Sequence, residues 1–394
     1  MVSLAVTALT CVSAIGDGLK ETAHALRNDQ GGLAPCSFGH IPLNTSVGEV
    51  PGLDEKPLDF RFAPFDCRNN RLAERALICD DFATRVADAR SRYGAGRIAV
   101  IMGTSTSGIL ETETAYRNRD PITGALPASF RYRQTHNTFS IAEYTRARLG
   151  LTGVAISLST ACSSSAKAFA SAARMISAGL ADSAVVGGVD SLCMTTLCGF
   201  SSLDLVSAEP CRPCDKDRNG ISIGEAAAYA LLERSSAVAE RFGILSGYGE
   251  SSDGYHISSP HPDGLGAELA MRQALSRAGR KPGEITYINM HGTASEMNDR
   301  VEDQAIFRVF GDGVWCNSTK GWTGHTLGAA GALEAAISLL LIRESFIPGS
   351  LNTKTVDPSF RSRIKLHTGE AQVTAVLSNS FGFGGSNASL VFEA

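Results

Sequence analysis

Three residues of this 394-residue chain stand where side-chain type and local setting together suit covalent and acid–base chemistry. Cys162 lies in Thr160-Ala161-Cys162-Ser163-Ser164-Ser165, after an apolar stretch and before a run of small residues. A lone cysteine is usually just a small buried side chain, so its setting decides the reading. A thiol where a strand turns sharply into a helix meets the positive helix end and free backbone N–H groups. Both favour the thiolate, which is the nucleophilic form. His291 stands in Asn289-Met290-His291-Gly292-Thr293 at the end of an apolar stretch. His325 opens Gly324-His325-Thr326-Leu327-Gly328-Ala329-Ala330-Gly331, the mouth of a second small-residue run. Either histidine alone reads as structural. Beside one cysteine, two neutral imidazoles can donate hydrogen bonds to a carbonyl oxygen that becomes an enolate.

Lys320 follows Ser318-Thr319, and its neighbours Gly321, Trp322 and Gly324 mark a packed loop. A buried cation there would hold the histidines neutral and orient a carboxylate such as Glu302. Near the C-terminus, Asn379-Ser380-Phe381-Gly382-Phe383-Gly384-Gly385-Ser386-Asn387 is a glycine-rich turn. Its backbone can approach a ligand closely and supply an oxyanion-hole N–H, and it can equally be a tight hairpin. Cys211-Arg212-Pro213-Cys214 has no second pair to complete four zinc ligands. No helix follows Gly382-Phe383-Gly384-Gly385, so it is not a dinucleotide fingerprint.

The elements that must position these groups come twice in the same order. Ile98–Ile101 runs into Met102-Gly103-Thr104, as Ile285–Ile288 runs through Asn289-Met290 into His291-Gly292-Thr293. Ile156 to Ser159-Thr160 leads to the small-residue helix 163–178, as Trp315–Asn317 with Ser318-Thr319 leads to 326–342. Each half closes on two more strands, 184–186 with 228–232 and 375–377 with 389–392. Alternating strands and helices predict parallel sheets covered on both faces. A helix with Ala166, Phe169, Ala170, Ala173 and Ile176 in register, and small residues elsewhere, belongs between two sheets. The expectation is a five-layer α/β/α/β/α sandwich of two similar halves, residues 1–240 and 241–394, in one compact unit. Residues 28–75 and 112–135 lack periodicity and read as long loops or a cap.

Bulk properties exclude several classes. A net charge of −4 gives no reason for nucleic-acid binding. The ten cysteines are scattered, as expected of reduced thiols in the cytosol. Met1-Val2-Ser3-Leu4-Ala5-Val6 has no basic region ahead of its apolar residues, which argues against a secretory signal. No apolar run reaches the roughly twenty residues of a membrane span. The nearest, Leu327 to Ile342, carries Glu334 and reads as a buried helix.

Assembled, these motifs resemble the thiolase-superfamily condensing enzymes, and among them the elongating β-ketoacyl-acyl carrier protein synthases. The resemblance runs nearly end to end, from Val6-Thr7-Ala8 and Val12-Ser13 through Thr160-Ala161-Cys162-Ser163-Ser164. It continues through Arg212-Pro213 with Asp215 and Gly224-Glu225-Ala226 to His291-Gly292-Thr293 with Asn298-Asp299 and Glu302. The lysine, Gly-His-Thr-Leu-Gly-Ala-Ala-Gly and Asn-Ser-Phe-Gly-Phe-Gly-Gly blocks complete it. It implies a thiolase-like fold and a cytoplasmic acyltransferase without cofactor or metal. Cys162 would carry the acyl thioester, His291 and His325 would bind the malonyl carbonyl, and Lys320 would support them. The N–H groups of Cys162 and Phe383 would form the oxyanion hole. Phe383 would gate the acyl pocket, with Phe381, Glu302 and Asp299 supporting. The implied partners are acyl carrier protein with its acyl and malonyl thioesters, and a second subunit, either identical or a chain-length factor.

The chain departs from the family's usual wording at Cys214, at Asn219-Gly220-Ile221, at Ala294-Ser295 and through residues 105–135, and no catalytic group is lost. A degradative thiolase needs a second cysteine in the C-terminal loop, and none follows Cys316. Chain-initiating synthases use Cys-His-Asn, whereas this chain has Gly324-His325 at the third position. A chain-length factor lacks the cysteine. Fatty acid elongation and a specialised polyene or polyketide system, such as an aryl polyene pathway, both remain open.

Overall fold

In the computed structural model the two sets of strands form one hydrogen-bonded surface of twelve strands among the described residues, eleven in one continuous order and the short Gly16–Asp17 paired beside Leu4–Ser13. Residues 3–40, 42–238 and 240–394 are described, so Met1 and Val2 of the N-terminal reading lie outside them. One half-sheet runs Leu4–Ser13, Ala226–Arg234, Ser183–Asp190, Ile98–Gly103 and Ala155–Leu158, in that spatial order. The other runs Gly243–Ser252, Ser386–Glu393, Ala375–Gly382, Tyr287–Asn289, Trp315–Asn317 and Arg363–Ile364. The halves repeat one scheme. Ile98–Gly103 is parallel to both its neighbours, and so is Tyr287–Asn289. Each parallel group then meets an antiparallel strand, Ala226–Arg234 or Ser386–Glu393. The predicted sheets are not separate, because Leu4–Val6 pairs antiparallel with Gly243–Leu245 and joins them.

Five layers are present nonetheless. Helix Ser164–Ser177 packs on Ile98–Gly103 and Ser183–Asp190 from one half and on Ser386–Glu393 from the other. Helix Ala330–Glu344 packs on Ala226–Arg234 and on Ala375–Gly382. Small side chains permit this double burial. A Cβ on Gly331 would lie 2.7 Å from the Ala166 nitrogen, so only glycine lets the helices approach this closely. Ser165 Oγ accepts the Ala332 N–H at 2.9 Å and ties them together. The outer layers are Arg68–Leu77, Phe82–Tyr93 and Ser140–Arg148 over one half, and Leu265–Ala278 and Glu296–Phe310 over the other.

The two segments read as loops hold more order than their sequence suggests. Helix Arg68–Leu77 begins inside 28–75, and helix Ile109–Arg117 overlaps 112–135. The first is masked because its buried face includes Arg68, Asn69 and Asn70 beside Leu72 and Ala73. Arg68 is buried because Glu225 pairs with it at 2.6 Å and Glu49 at 3.1 Å. Among the described residues, the rest of 28–67 contributes only the short strands Ala34–Pro35 and Ser46–Gly48 and the 3₁₀ turn Phe60–Phe65.

Candidate active site

Strand Ala155–Leu158 ends four residues before Cys162, and the chain reverses through Ala161 at φ 53°. A non-glycine residue held in the left-handed region must be braced by its surroundings. The serines after the cysteine supply the brace. Ser164 Oγ accepts the Thr160 N–H at 2.8 Å and donates to the Ala161 carbonyl at 2.5 Å. Ser163 Oγ donates to the Thr160 carbonyl at 2.9 Å. The turn therefore fixes Cys162 at the entrance of helix Ser164–Ser177.

His325 reaches this sulfur from the other half, with Nε2 2.9 Å from Cys162 Sγ. Its backbone is clamped across the halves, its N–H donating to Ser222 at 2.7 Å and its carbonyl accepting from Gly224 at 3.0 Å. His291 meets the His325 ring edge-on at 5.3 Å between centroids, and Phe381 lies 6.0 Å beyond. Donor atoms of Cys162, His291 and His325 all lie within 4.8 Å of one another, and all three residues are buried. Three such donors could ligate a metal, but the nearby Lys320 ammonium, which depresses both imidazoles, opposes a further cation.

Glu302 accepts the N–H groups of His291 and Gly292, each at 2.8 Å, and the Asn379 amide at 3.1 Å. Asp299 accepts from the Cys214 N–H at 2.9 Å and the Ala294 N–H at 3.1 Å, bracing the turn after His291. Lys320 donates to the His291 carbonyl at 2.5 Å and ion-pairs with Glu334. This corrects one expectation: the carboxylate paired with Lys320 is Glu334, while Glu302 serves backbone. Burial raises both carboxyls to about 7, opposed at Glu334 by Lys320 and at Glu302 by its N–H donors. Burial first and Lys320 second push both histidines well below their usual range, so they are neutral.

A second correction concerns the nucleophile. Burial pushes the Cys162 thiol up to about 11, against Lys320 and the N–H groups of Phe383 and Cys162, which pull it down. The resting side chain is a thiol, because enclosure outweighs the favourable helix entrance. The same two N–H groups are those assigned to the oxyanion hole.

The glycine-rich segment is the tight hairpin the sequence allowed. Phe383–Gly385 forms a turn between antiparallel strands Ala375–Gly382 and Ser386–Glu393. It also lies against the nucleophile, since a Cβ on Gly382 would come within 2.9 Å of the Thr160 carbonyl. Phe383 stacks on Phe200 at 5.6 Å, and both line a cavity of about 440 Å³ with Cys162, His291, His325 and Phe381. The Cys-x-x-Cys pair lies apart from the chemistry, with Cys211 Sγ on the Lys320 carbonyl and Cys214 Sγ beside Met290 Sδ. Two buried acids escaped the sequence reading as site residues. Glu334 had a signal, a lone carboxylate in an apolar helix. Asp190 had none: its carboxylate gathers Thr104, Ser105 and Thr106 with the N–H of Gly328, three residues after His325.

The model of the β-ketoacyl synthase N-terminal domain matches residues 1–237, and that of the C-terminal domain matches residues 242–354. The chain belongs to the β-ketoacyl synthase family. Relatives of the chain include a mitochondrial 3-oxoacyl-[acyl-carrier-protein] synthase of Arabidopsis thaliana, 42% identical over 60% of this chain. The 3-oxoacyl-[acyl-carrier-protein] synthase 2 of Rhizobium meliloti is 41% identical, also over 60% of the chain. These alignments span only 55% and 60% of the two relatives' own lengths. Synthase 2 of Synechocystis is 30% identical over 98% of this chain and 97% of its own. Among solved structures, a chain of the ketosynthase–chain length factor complex of Xenorhabdus doucetiae superposes with a TM-score of 0.88 at 36% identity. That match covers 100% of this chain and 98% of the other. A chain of the ishigamide ketosynthase/chain length factor has a TM-score of 0.89 at 27% identity, covering 100% and 99%. The fold is thus the thiolase-like fold of ketosynthases. No helix among the described residues is long and apolar enough to cross a membrane.

Proposed function

We propose that the chain is a 3-oxoacyl-acyl carrier protein synthase that condenses an acyl group with malonyl-carrier protein by decarboxylation, in fatty acid elongation. The observation that carries this is the enclosed trio of Cys162, His325 and His291, with His325 Nε2 2.9 Å from the sulfur. Cys162 attacks the acyl thioester, and its proton leaves with the departing carrier thiol. The oxyanion of that step lies on the N–H groups of Cys162 and Phe383. Malonyl-carrier protein then enters with its thioester carbonyl on His291 and His325. Loss of carbon dioxide leaves an enolate, which neutral imidazole donors stabilise without being able to protonate it outright. The enolate carbon attacks the Cys162 thioester, and collapse expels the thiolate, which takes a proton from solvent as the 3-oxoacyl product leaves. Lys320 keeps the imidazoles neutral, and Phe383 moves aside when the acyl group is in place. No cofactor enters this scheme.

The proposed partners are a carrier protein and a second subunit. Strand Ala155–Leu158 ends the sheet with one edge unpaired among the described residues, and Val154 beside it is 50% exposed. Such an edge favours pairing with another chain. A second reading, the catalytic subunit of a polyene or polyketide system, is favoured by the end-to-end likeness to a chain of a ketosynthase–chain length factor complex. Intact-mass analysis after incubation with acyl-carrier protein tests the chemistry common to both. One acyl adduct should form and disappear in Cys162→Ala; an undiminished adduct refutes the assignment.

A further inference from the structure

Three loops from different parts of the chain meet behind the nucleophile, and each holds a non-glycine residue in the left-handed region. Ala161 at φ 53° precedes Cys162, Leu327 at φ 52° follows His325 by two residues, and Ser107 at φ 46° lies in the loop after strand Ile98–Gly103. Such residues persist only where their surroundings over-determine them. The loops also touch one another. A Cβ on Gly328 would lie 2.7 Å from the Ser105 nitrogen and 2.8 Å from a carboxylate oxygen of Asp190. Ser105 Oγ in turn donates to the Ala161 carbonyl at 3.3 Å.

Asp190 ends strand Ser183–Asp190, is fully buried and does not line the cavity that holds Cys162. Its Oδ1 accepts the Thr104 hydroxyl at 2.6 Å and both the N–H and the hydroxyl of Thr106 at 2.9 Å. Its Oδ2 accepts the Gly328 N–H at 2.6 Å, and the Ser105 N–H is shared between the two oxygens at 2.9 Å. Thr104 Oγ1 accepts the Ser107 N–H at 2.9 Å, so its own hydrogen is free for the carboxylate. One carboxylate thus braces Leu327 through the next residue, Ser107 through Thr104, and Ala161 through Ser105. Backbone N–H groups cannot turn to accept, so these donors favour the ionised form against the burial that raises its pKa. That charge also reaches the sulfur, where it helps keep Cys162 a thiol.

We propose that Asp190 is a positioning residue for condensation, its carboxylate holding the Cys162 turn and the His325 loop in the register that brings the enolate carbon onto the thioester. This rests on the condensing reaction proposed above. The clamp at Ser222 and Gly224 fixes the His325 backbone from one side, and Asp190 fixes the same loop from the other through Gly328. Acylation uses the Cys162 side and decarboxylation the histidine side, whereas carbon–carbon bond formation needs both at once. An enolate out of reach of the thioester takes a proton from solvent and leaves as the acetyl thioester. Loss of register therefore shows in how the enolate partitions between acetyl thioester and 3-oxoacyl product. Asparagine keeps the shape of Asp190 but must turn its NH2 toward some of the donors. Turning it to Gly328 spares the larger set on Oδ1, so the His325 loop is the one released.

The test gives the full chain hexanoyl-N-acetylcysteamine to load Cys162, then malonyl-N-acetylcysteamine, and quantifies both products. In Asp190→Asn the ratio of 3-oxoacyl product to acetyl thioester should fall about tenfold, and condensation should slow more than acylation does. Ser105→Ala, at an exposed position, removes the link to Ala161 and leaves the carboxylate its donors; it should lower the same ratio about threefold. Removing the Asp190 charge should also move the iodoacetamide alkylation of Cys162 to lower pH, a shift that a merely structural role would not produce. An unchanged ratio in Ser105→Ala overturns the proposal. So does Asp190→Asn with an unmoved alkylation profile, or with all rates falling together. Where Asp190→Asn does not fold, Ser105→Ala decides alone. A wild type that neither takes up hexanoyl nor releases carbon dioxide would instead strike at the condensing function.

Discussion

Replacing Lys320 with methionine leaves the Glu334 carboxyl buried in helix Ala330–Glu344 without its cation. Glu334 already titrates near 7 against an ordinary 4.5, and Lys320 is what restrains the rise. A carboxyl with a raised folded-state pKa holds its proton more tightly in the folded chain. Its stabilising contribution is therefore full below about pH 4.5 and lost as pH climbs through about 7. The size of that loss is about 3 kcal/mol, from about 1.4 kcal/mol for each pH unit. Without Lys320 the titration moves higher still, so Lys320→Met should go on losing stability above pH 7 where the wild type has levelled off. Breaking a buried pair by removing one partner costs about 3–5 kcal/mol, and that penalty should appear at about pH 8.5 and shrink at about pH 5. Lys320→Met/Glu334→Met should recover most of it, because both charges are gone. The hydrogen bond from Lys320 to the His291 carbonyl is absent from both variants and cancels between them. Urea unfolding of the three proteins at the two pH values reads the difference directly. Equal losses in single and double variants at both pH values would refute the reasoning.

His325→Ala and His291→Ala should each slow carbon dioxide release from malonyl-carrier protein by about a hundred- to a thousand-fold while Cys162 stays acylatable. Decarboxylation within threefold of wild type would contradict the donor assignment. Because burial holds the Cys162 thiol near 11, its alkylation by iodoacetamide, read by peptide mapping, should quicken about tenfold per pH unit through pH 9. A plateau below pH 8 would mean a thiolate at rest. Phe383→Ala should decarboxylate malonyl-carrier protein without prior acylation. If the variant melts earlier and keeps the wild-type order, Phe383 only packs the loop.

The sequence exposed what chemistry and periodicity mark, and hid what tertiary pairing decides. Cys162, His291 and His325 were legible because strand ends and small-residue runs frame them, and the repeat brought them face to face. The pairing of Lys320 was not, because Glu302 and Glu334 flank it at similar separations along the chain, and only packing chooses Glu334. The thiol's protonation was misjudged because enclosure cannot be read from a helix entrance. Helix Arg68–Leu77 escaped because a buried arginine and two buried asparagines erase the apolar stripe on which pattern reading depends.

The seam between the half-sheets has a consequence for the newborn chain. Strand Leu4–Ser13 leaves the ribosome well before its two long partners, Ala226–Arg234 and Gly243–Ser252. At bacterial-to-eukaryotic synthesis rates of about 5–20 residues per second, roughly ten to forty seconds pass before either partner exists. Through that interval these ten almost wholly buried residues have only the short strand Gly16–Asp17 to pair with. An early strand is thus among the last to be completed, and anything that shelters it until residue 252 emerges decides how much of the chain survives its own birth.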